Sequence, residues 1–108
     1  MVSYNDLMNG GGTFATGEFT PGTTANGTAF PTRAARLVRF KGRAANTGKV
    51  YVGVYGVNVT KADGTTDTTT GFELAAGDDT GWIPCNNLSQ FKGIGDNATD
   101  SVTYMVLA

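Results

Sequence analysis

LVRFKGRAANTGKVYVGVY, residues 37–55, decides the fold of this chain because it contains two strand patterns separated by a turn. In the first pattern, Val38 and Phe40 alternate with charged residues, as expected for a strand with one buried face. In the second, three valines alternate with Tyr51, Gly53 and Tyr55. The intervening AANTG, residues 44–48, is rich in turn-forming residues. The stretch therefore predicts two strands with a turn between them.

Similar short runs continue toward the C-terminus. Phe72 and Leu74 share one face of a short strand, and Pro84 follows Trp82 and Ile83 in a run whose proline predicts an edge strand or a strand end. The final run, residues 102–107, is apolar on both faces, so we expect a central strand or an interface. The only helical candidate is one turn near residues 86–90. The predicted fold is all-β, a small β-sandwich or jelly-roll-like barrel.

The first 32 residues have a different character. They are mostly Gly, Thr, Asn and Ala, and their large apolar residues follow no helix or strand period. We therefore predict two parts: an extended Gly/Thr-rich N-terminal arm at residues 1–32, which contributes no core, and a β module at residues 33–108. Gly10-Gly11-Gly12 lacks a preceding strand and a following helix pattern, so it predicts a hinge and not a phosphate-binding loop.

The composition limits how such a small module can be stabilised. The chain has 108 residues and a formal net charge of -1. A domain of this size buries only about 60% of its unfolded surface. Cys85 is the single cysteine and there is no histidine, so neither an internal disulfide nor a Cys/His zinc site is expected. Assembly with other chains is the remaining source of stability that we predict.

Cations are concentrated on the first strand. Arg39, Lys41 and Arg43 project from one side of it. Three interpretations stay open: contact with nucleic acid phosphates, pairing with acidic loops of a neighbouring chain, or a solvated face. The rest of the module is net acidic, so we expect no nucleic-acid partner. Tyr51 and Tyr55 are candidate interface or stacking residues. No apolar stretch reaches membrane-spanning length, and no signal-peptide pattern opens the chain, so no membrane partner is expected.

Few residues are typical of catalysis. Without histidine, a Ser or Cys nucleophile lacks its usual base, and Cys85 beside Pro84 reads as a buried thiol. Asp78-Asp79 is typical of a solvated turn, because adjacent strand residues point to opposite faces. The loops at residues 63–67 and 96–100 offer oxygen ligands for calcium, but neither has the EF-hand spacing and turn chemistry explains both. We predict no enzyme activity and no cofactor.

Residues 35–107 also carry an ordered set of short motifs. The set consists of ARLVRF at 35–40, AANTGKVYVG at 44–53, GFEL at 71–74 and GDDTGWIP at 77–84, followed by the hydrophobic final strand. This order resembles small β-structured virion proteins of tailed bacteriophages, in which a similar Asn-Thr-Gly…Val-Tyr-Val-Gly hairpin precedes a Gly-Phe-x-Leu strand pair. The likeness spans about two thirds of the chain and leaves the N-terminal arm outside.

The resemblance implies a non-enzymatic virion protein, most similar to a capsid decoration (cement) protein. Such a protein binds the major capsid protein on the capsid surface of the virion, after assembly in the host cytoplasm, and commonly forms a homo-oligomer, with a trimer favoured here. The resemblance also implies that the N-terminal arm makes the attachment. Its candidate capsid-binding residues are Leu7, Phe14, Phe19 and Phe30.

Two other functions remain open at this point. The first is a tail, spike-base or head-fibre adaptor, because these virion parts carry similar small β modules. The second is a carbohydrate-binding β module, because an exposed aromatic side chain can serve as a platform for a sugar ring. The candidate platforms are Tyr51, Tyr55 and Trp82.

Overall fold

The structure is a computed structural model that describes residues 13–54 and 71–108. Leu7, Tyr55 and the calcium candidate loop at residues 63–67 therefore lie outside the described residues. The strands in chain order are β1 Phe14–Phe19, β2 Thr28–Ala29, β3 Leu37–Gly42, β4 Val50–Val54, β5 Phe72–Leu74, β6 Asp79–Pro84, β7 Phe91–Gly95 and β8 Val102–Leu107. A single 3-10 turn, Leu88–Gln90, precedes β7.

The strands form two antiparallel sheets of four strands each. The first sheet has the order β1-β8-β3-β6, and the second has the order β2-β7-β4-β5. Strands pair as β1 with β8, β2 with β7, β3 with β6 and β4 with β5. Nested pairing of this kind is that of one long hairpin wrapped around itself, which is the jelly-roll arrangement. The predicted all-β sandwich is confirmed.

The core lies between the two sheets. Phe40 of β3 is fully buried, and its ring centroid lies 4.9 Å from that of Phe30 and 5.0 Å from that of Phe91. The alternation that predicted Val38 and Phe40 on the inner face of β3 is confirmed, because both side chains are 0% exposed. The other buried apolar residues of the main core are Ala35, Val50, Val52, Leu74, Leu88, Val102 and Val106.

The prediction that the N-terminal segment contributes no core is wrong for its described part. β1 pairs with β8 along its whole length, and β2 pairs with β7. Phe30 is only 2% exposed, and its ring lies 4.4 Å from that of Phe19. Periodicity missed these strands because β2 has two residues and because Ala15 and Gly17 precede Phe19 on the inner face of β1 and give little apolar signal.

The hairpin implied by the phage-protein resemblance needs a similar correction. β3 and β4 follow each other in sequence, but they lie in different sheets. β3 pairs with β6 and β8, whereas β4 pairs with β5 and β7. The turn at residues 43–49 therefore crosses from one sheet to the other. Alternation predicts a strand but not its neighbour, because any strand with a matching inner face can pair with it.

Three local predictions are confirmed. The 3-10 turn lies within the predicted helical turn, and its capping box joins Asn87 to Gln90. β6, which ends at Pro84, is an edge strand. β8 is central in the first sheet, between β1 and β3. Within the described residues, no helix is long and apolar enough to cross a membrane.

Candidate interaction surface

The outer face of the first sheet carries a group of exposed apolar side chains contributed by several strands. Three of its side chains are large, apolar and at least about one third exposed: Phe14 at 42%, Met105 at 38% and Trp82 at 36%. They come from β1, β8 and β6, so three strands contribute. We call this surface the open face. Arg39 lies between Met105 and Trp82 in the strand register. Aromatic residues, methionine and arginine are enriched in protein–protein interfaces.

Strand register orders the open face into rows of increasing polarity. At one end, Phe14 lies beside Leu107, which lies beside Leu37. The ring centroids of Phe14 and Trp82 are 6.1 Å apart, although these residues stand on opposite edges of the sheet. Their rings therefore reach toward each other over the two middle strands, where Leu107 is only 1% exposed. At this end of the face, two aromatic rings cover aliphatic side chains.

The other end of the open face is charged. The Arg39 Nε donates hydrogen bonds of 2.8 Å to both carboxylate oxygens of Asp79, and Arg43 forms an ion pair of 3.2 Å with Glu18. The bond from Arg39 lowers the pKa of Asp79, and the same pair raises the pKa of Arg39. An open depression of about 570 Å³ lies here, and Lys41 is among the residues that line it.

These pairs bear on the three interpretations of the basic strand. Two of the three cations have carboxylate partners within the same chain, namely Arg39 with Asp79 and Arg43 with Glu18. Lys41 lies opposite Asp79 in the register and is one of the charges that lower the pKa of Asp79. Intramolecular pairing leaves less positive charge for phosphate groups. The geometry is therefore that of a mixed-charge face and not of a concentrated positive patch.

The outer side of the second sheet differs sharply. Tyr51 of β4 and Ile94 of β7 lie opposite each other and are only 2% and 4% exposed. The Tyr51 hydroxyl donates a 3.2 Å hydrogen bond to Asp96. Burial, together with the negative charge of Asp96, raises the pKa of Tyr51 to about 12. We call this region the closed face; Tyr51 lies inside the chain and not at an exposed interface.

A dense hydrogen-bond network holds the loop that follows the closed face. Asp100 is 1% exposed, and its carboxylate accepts bonds from the Thr47 backbone N–H at 3.1 Å and the Asn97 side-chain amide at 2.9 Å. Burial alone would raise the pKa of Asp100, but these donors prevail and lower it. Gly48 is required at this point because an added Cβ would lie 2.7 Å from the Asp96 Cβ.

This network also bears on the calcium candidate at residues 96–100. The Asp100 oxygens face N–H donors, which take the lone pairs that a cation would need. Within residues 13–54 and 71–108, no three His, Cys, Asp or Glu side chains cluster as metal ligands would. The loop instead joins the β3–β4 turn to β8: Asn46 donates to the Ser101 carbonyl and accepts from the Ser101 N–H, each at 2.8 Å.

The residues considered for catalysis are engaged in local structure. Asp78 accepts from the Ala75 N–H at 3.0 Å, whereas Asp79 binds Arg39, so the adjacent carboxylates have different partners. Cys85 is half-buried, and its Sγ lies 3.5 Å from the Ala35 carbonyl oxygen. Burial raises the pKa of the Cys85 thiol. A raised pKa lowers the fraction of thiolate, the reactive form.

The four candidate capsid-binding residues are not brought together. Phe14 lies on the open face, whereas Phe19 and Phe30 pack in the interior of the sandwich. Leu7 lies outside the described residues. Met105 and Glu18 are part of the open face but were missed by sequence reasoning. Met105 carried a signal, because an apolar residue on the second face of a final strand was visible in the sequence.

Searches among protein-family models, curated proteins and solved structures return no significant match to this chain. The features that bear on function are therefore the two outer faces of the sandwich and the chemistry of the residues that form them. The likeness to phage virion proteins remains an expectation from sequence motifs.

Proposed function

We propose that this protein is a non-enzymatic structural protein that binds the outer surface of a larger protein shell, as a capsid decoration (cement) protein of a tailed phage. The observation that carries the proposal is the open face, where Phe14, Met105 and Trp82 are exposed beside charged pairs. Exposed apolar residues grouped on one face and rimmed by polar groups mark protein–protein contact sites. The proposed partner is the major capsid protein.

The fold supports this proposal more weakly than the face does. Eight-stranded jelly rolls build viral capsid proteins, but they also build lectin domains and cupins. Because one fold serves many functions, function must be argued from the site. The chemistry of the described carboxylates and of Cys85 favours a structural role, since each has a local partner or a raised pKa.

In this proposal, fewer residues of the N-terminal segment are candidates for contact with the capsid. Phe19 and Phe30 stabilise the sandwich, which leaves Phe14 and Leu7 as capsid-contact candidates from the original set. Burial of exposed apolar surface contributes roughly 25 cal/mol per Å², so a few anchors in each copy give useful affinity when many copies bind one particle. Deletion of residues 2–12 tests the contribution of the segment that contains Leu7.

The direct test measures binding to empty heads of the parent phage by co-sedimentation. We expect Trp82→Ala and Phe14→Ala each to weaken binding about tenfold or more, because aromatic anchors are typical hot spots. The matched control is Phe72→Ala, which removes a 55% exposed aromatic side chain from β5 in the other sheet. Equal binding by all three variants and the unaltered protein contradicts the proposed use of the open face.

Copy number separates decoration from the related structural role. A protein that covers the head occurs in hundreds of copies in each particle, whereas a tail, spike-base or head-fibre adaptor occurs in a few tens or fewer. Quantitative mass spectrometry of purified particles measures this number. A low count, together with binding to tail components, replaces decoration by the adaptor role.

A carbohydrate-binding module is the second candidate function, and the position of Trp82 favours it. Its ring is partly exposed, the Arg39 guanidinium carbon lies 6.0 Å from the ring centroid, and Asp79 lies beside Arg39. A stacking ring beside a donor and an acceptor suits a sugar ring with its hydroxyls. Tyr51 is buried and Tyr55 lies outside the described residues, so Trp82 is the aromatic platform on which this second function depends. Saturable binding on a glycan array that Trp82→Ala abolishes supports it.

A further inference from the structure

Three of the four sheet edges formed by the described residues are poorly suited to pairing with another strand. β2 has two residues and β5 has three, so neither offers a long ladder. β6 has six residues, but its pairing with β3 shifts register between Arg39 and Lys41, Gly81 has φ 71°, and Pro84 ends the strand. Short strands, bulges and prolines are the usual means by which proteins block sheet edges.

The β1 edge has none of these features. β1 runs for six residues, FATGEF, without proline, lysine or arginine. Its register with β8 is continuous from Phe14 to Phe19. A long, regular edge of this kind is a template on which another strand can pair.

The hydrogen-bond pattern identifies which backbone groups of β1 face outward. Thr13 and Ala108 exchange both backbone bonds, at 3.4 and 2.9 Å. In an antiparallel ladder, such pairs alternate with pairs whose N–H and C=O groups point away from each other. Ala15, Gly17 and Phe19 therefore bond to β8. The backbone groups of Phe14, Thr16 and Glu18 point to the outer edge of the sheet, where the described chain provides no further strand.

We infer that a second copy of this chain docks on this edge, with the two β1 strands antiparallel about a two-fold axis and Thr16 opposite the partner's Thr16. Only this register pairs all the outward backbone groups of both strands. In it, Phe14 lies opposite the partner's Glu18, and Glu18 lies opposite the partner's Phe14. Two-fold homodimers are the commonest symmetric assemblies. The inference does not depend on the identity of the particle or on the use of the open face.

The outward backbone groups of β1 lie symmetrically about Thr16, and the charges of β1 are compatible with a second copy as the occupant. In this register the two Glu18 carboxylates are not opposite each other, and each is already paired with Arg43 of its own chain. Like charges directly opposite would destabilise the pair. One contact between copies also covers two open edges at once. The two first sheets then become one continuous sheet, which places both open faces on the same side.

Proline at position 16 provides the first test. The N–H of Thr16 is not used by the β1–β8 ladder, so Thr16→Pro keeps the intramolecular bonds but removes both Thr16–Thr16 bonds across the axis. Edge strands tolerate proline at such positions. We expect the dimer dissociation constant, measured by sedimentation equilibrium, to rise roughly thirtyfold or more. Thr16→Val retains the N–H and is the matched control, expected to dimerise as the unaltered chain does.

Charge substitutions test the register itself. Thr16→Lys and Thr16→Glu each place like charges opposite each other across the axis, so each variant alone is expected to be monomeric near the 11.2 kDa of one chain. An equimolar mixture places Lys opposite Glu and is expected to restore the dimer. Far-UV circular dichroism and thermal unfolding verify that every variant is folded.

Several results would overturn this inference. One is a monomeric unaltered chain at the highest attainable concentration. Another is a dimer or trimer whose dissociation constant is the same in folded Thr16→Pro as in Thr16→Val. A third is failure of the Lys and Glu variants to associate when mixed, because it excludes the self-paired register. None of these results depends on binding to phage heads, so each is distinct from failure of the proposed function.

Discussion

Phe14 and Tyr51 are both aromatic and both stand on the outer side of a sheet, yet Phe14 is 42% exposed and Tyr51 is 2% exposed. Phe14 lies on the open face, beside Trp82 at 6.1 Å between ring centroids. Tyr51 lies on the closed face, where its hydroxyl binds Asp96. The comparison shows that an outward position in a strand pattern does not by itself define a binding residue.

The difference lies in how each face is connected to the rest of the chain. On the closed face, the β7–β8 loop supplies Asp96 to Tyr51 and to the Lys49 N–H, and Asp100 fastens the same loop to Thr47. On the open face, the charged groups pair side by side along the sheet surface, as Arg39 does with Asp79. The closed face is thus held by a loop, whereas the lateral pairs of the open face leave Phe14, Met105 and Trp82 exposed.

The largest expected difference is between the stability lost by a substitution in the core and the stability lost by a substitution on the open face. Phe40→Ala should lower the free energy of unfolding by about 3–5 kcal/mol, because it removes a fully buried ring from between Phe30 and Phe91. Phe14→Ala should lower it by about 1 kcal/mol or less. Urea unfolding measures both values. A large loss for Phe14→Ala would mean that the open face contributes to folding and is less free to act as an interface.

The intermediate effect tests the loop of the closed face. Asp100→Asn should lower the free energy of unfolding by about 1.5–3 kcal/mol, because it removes a buried carboxylate that accepts several hydrogen bonds. The pKa of Asp100 is lowered in the folded state. Its contribution is therefore present above the unfolded pKa of about 3.9 and is lost as the pH falls through the folded value.

Unfolding curves measured down to low pH test this pH dependence of the Asp100 contribution. The unaltered protein should lose stability relative to Asp100→Asn as the medium becomes acidic, so the difference between the two should shrink. A difference that stays constant across this range contradicts the assigned role of the Asp100 charge. Asp78→Asn, at an exposed turn carboxylate, is the control that shares the substitution but not the network.

The smallest effect concerns the Tyr51 hydroxyl. Tyr51→Phe should lower the free energy of unfolding by about 1 kcal/mol at neutral pH, because it leaves Asp96 without this donor. The pKa of Tyr51 is raised to about 12, so the contribution is present below the unfolded value of about 10 and is lost as the pH rises toward 12. The difference between Tyr51→Phe and the unaltered protein should therefore change in that alkaline range and not below it.

Elements that depend on a local sequence pattern were predictable, and elements that depend on a distant strand were not. The alternation around Phe40, the helical turn before β7, the edge strand ending at Pro84 and the central final strand were all predictable, because each depends on a local pattern. β1 was not predictable in the same way, since Phe19 is the only large apolar residue on its inner face and the other two, Ala15 and Gly17, are too small to show an apolar period. Its place in the sheet depends on pairing with β8, a strand more than eighty residues further along the chain.

In the candidate site, too, local patterns identified some residues, whereas their contacts with distant residues could not be predicted. Arg39 and Trp82 were identified from strand position and residue type, and both lie on the open face. The sequence did not indicate that Arg39 would pair with Asp79, because forty residues separate them and only the β3–β6 register brings them together. Tyr51 had the same outward pattern as a surface residue, and only the contact with Asp96 distinguishes it.

The sequence by itself determined that this chain forms β-strands, which side chains of β3 face inward, and where several turns fall. These features follow from the two-residue period of a strand and from the backbone preferences of turn residues. Only the tertiary structure decided which strands pair, that β3 and β4 separate into different sheets, and which outer face stays open. Those outcomes depend on contacts between distant segments, whose choice of partner is not encoded in any one segment.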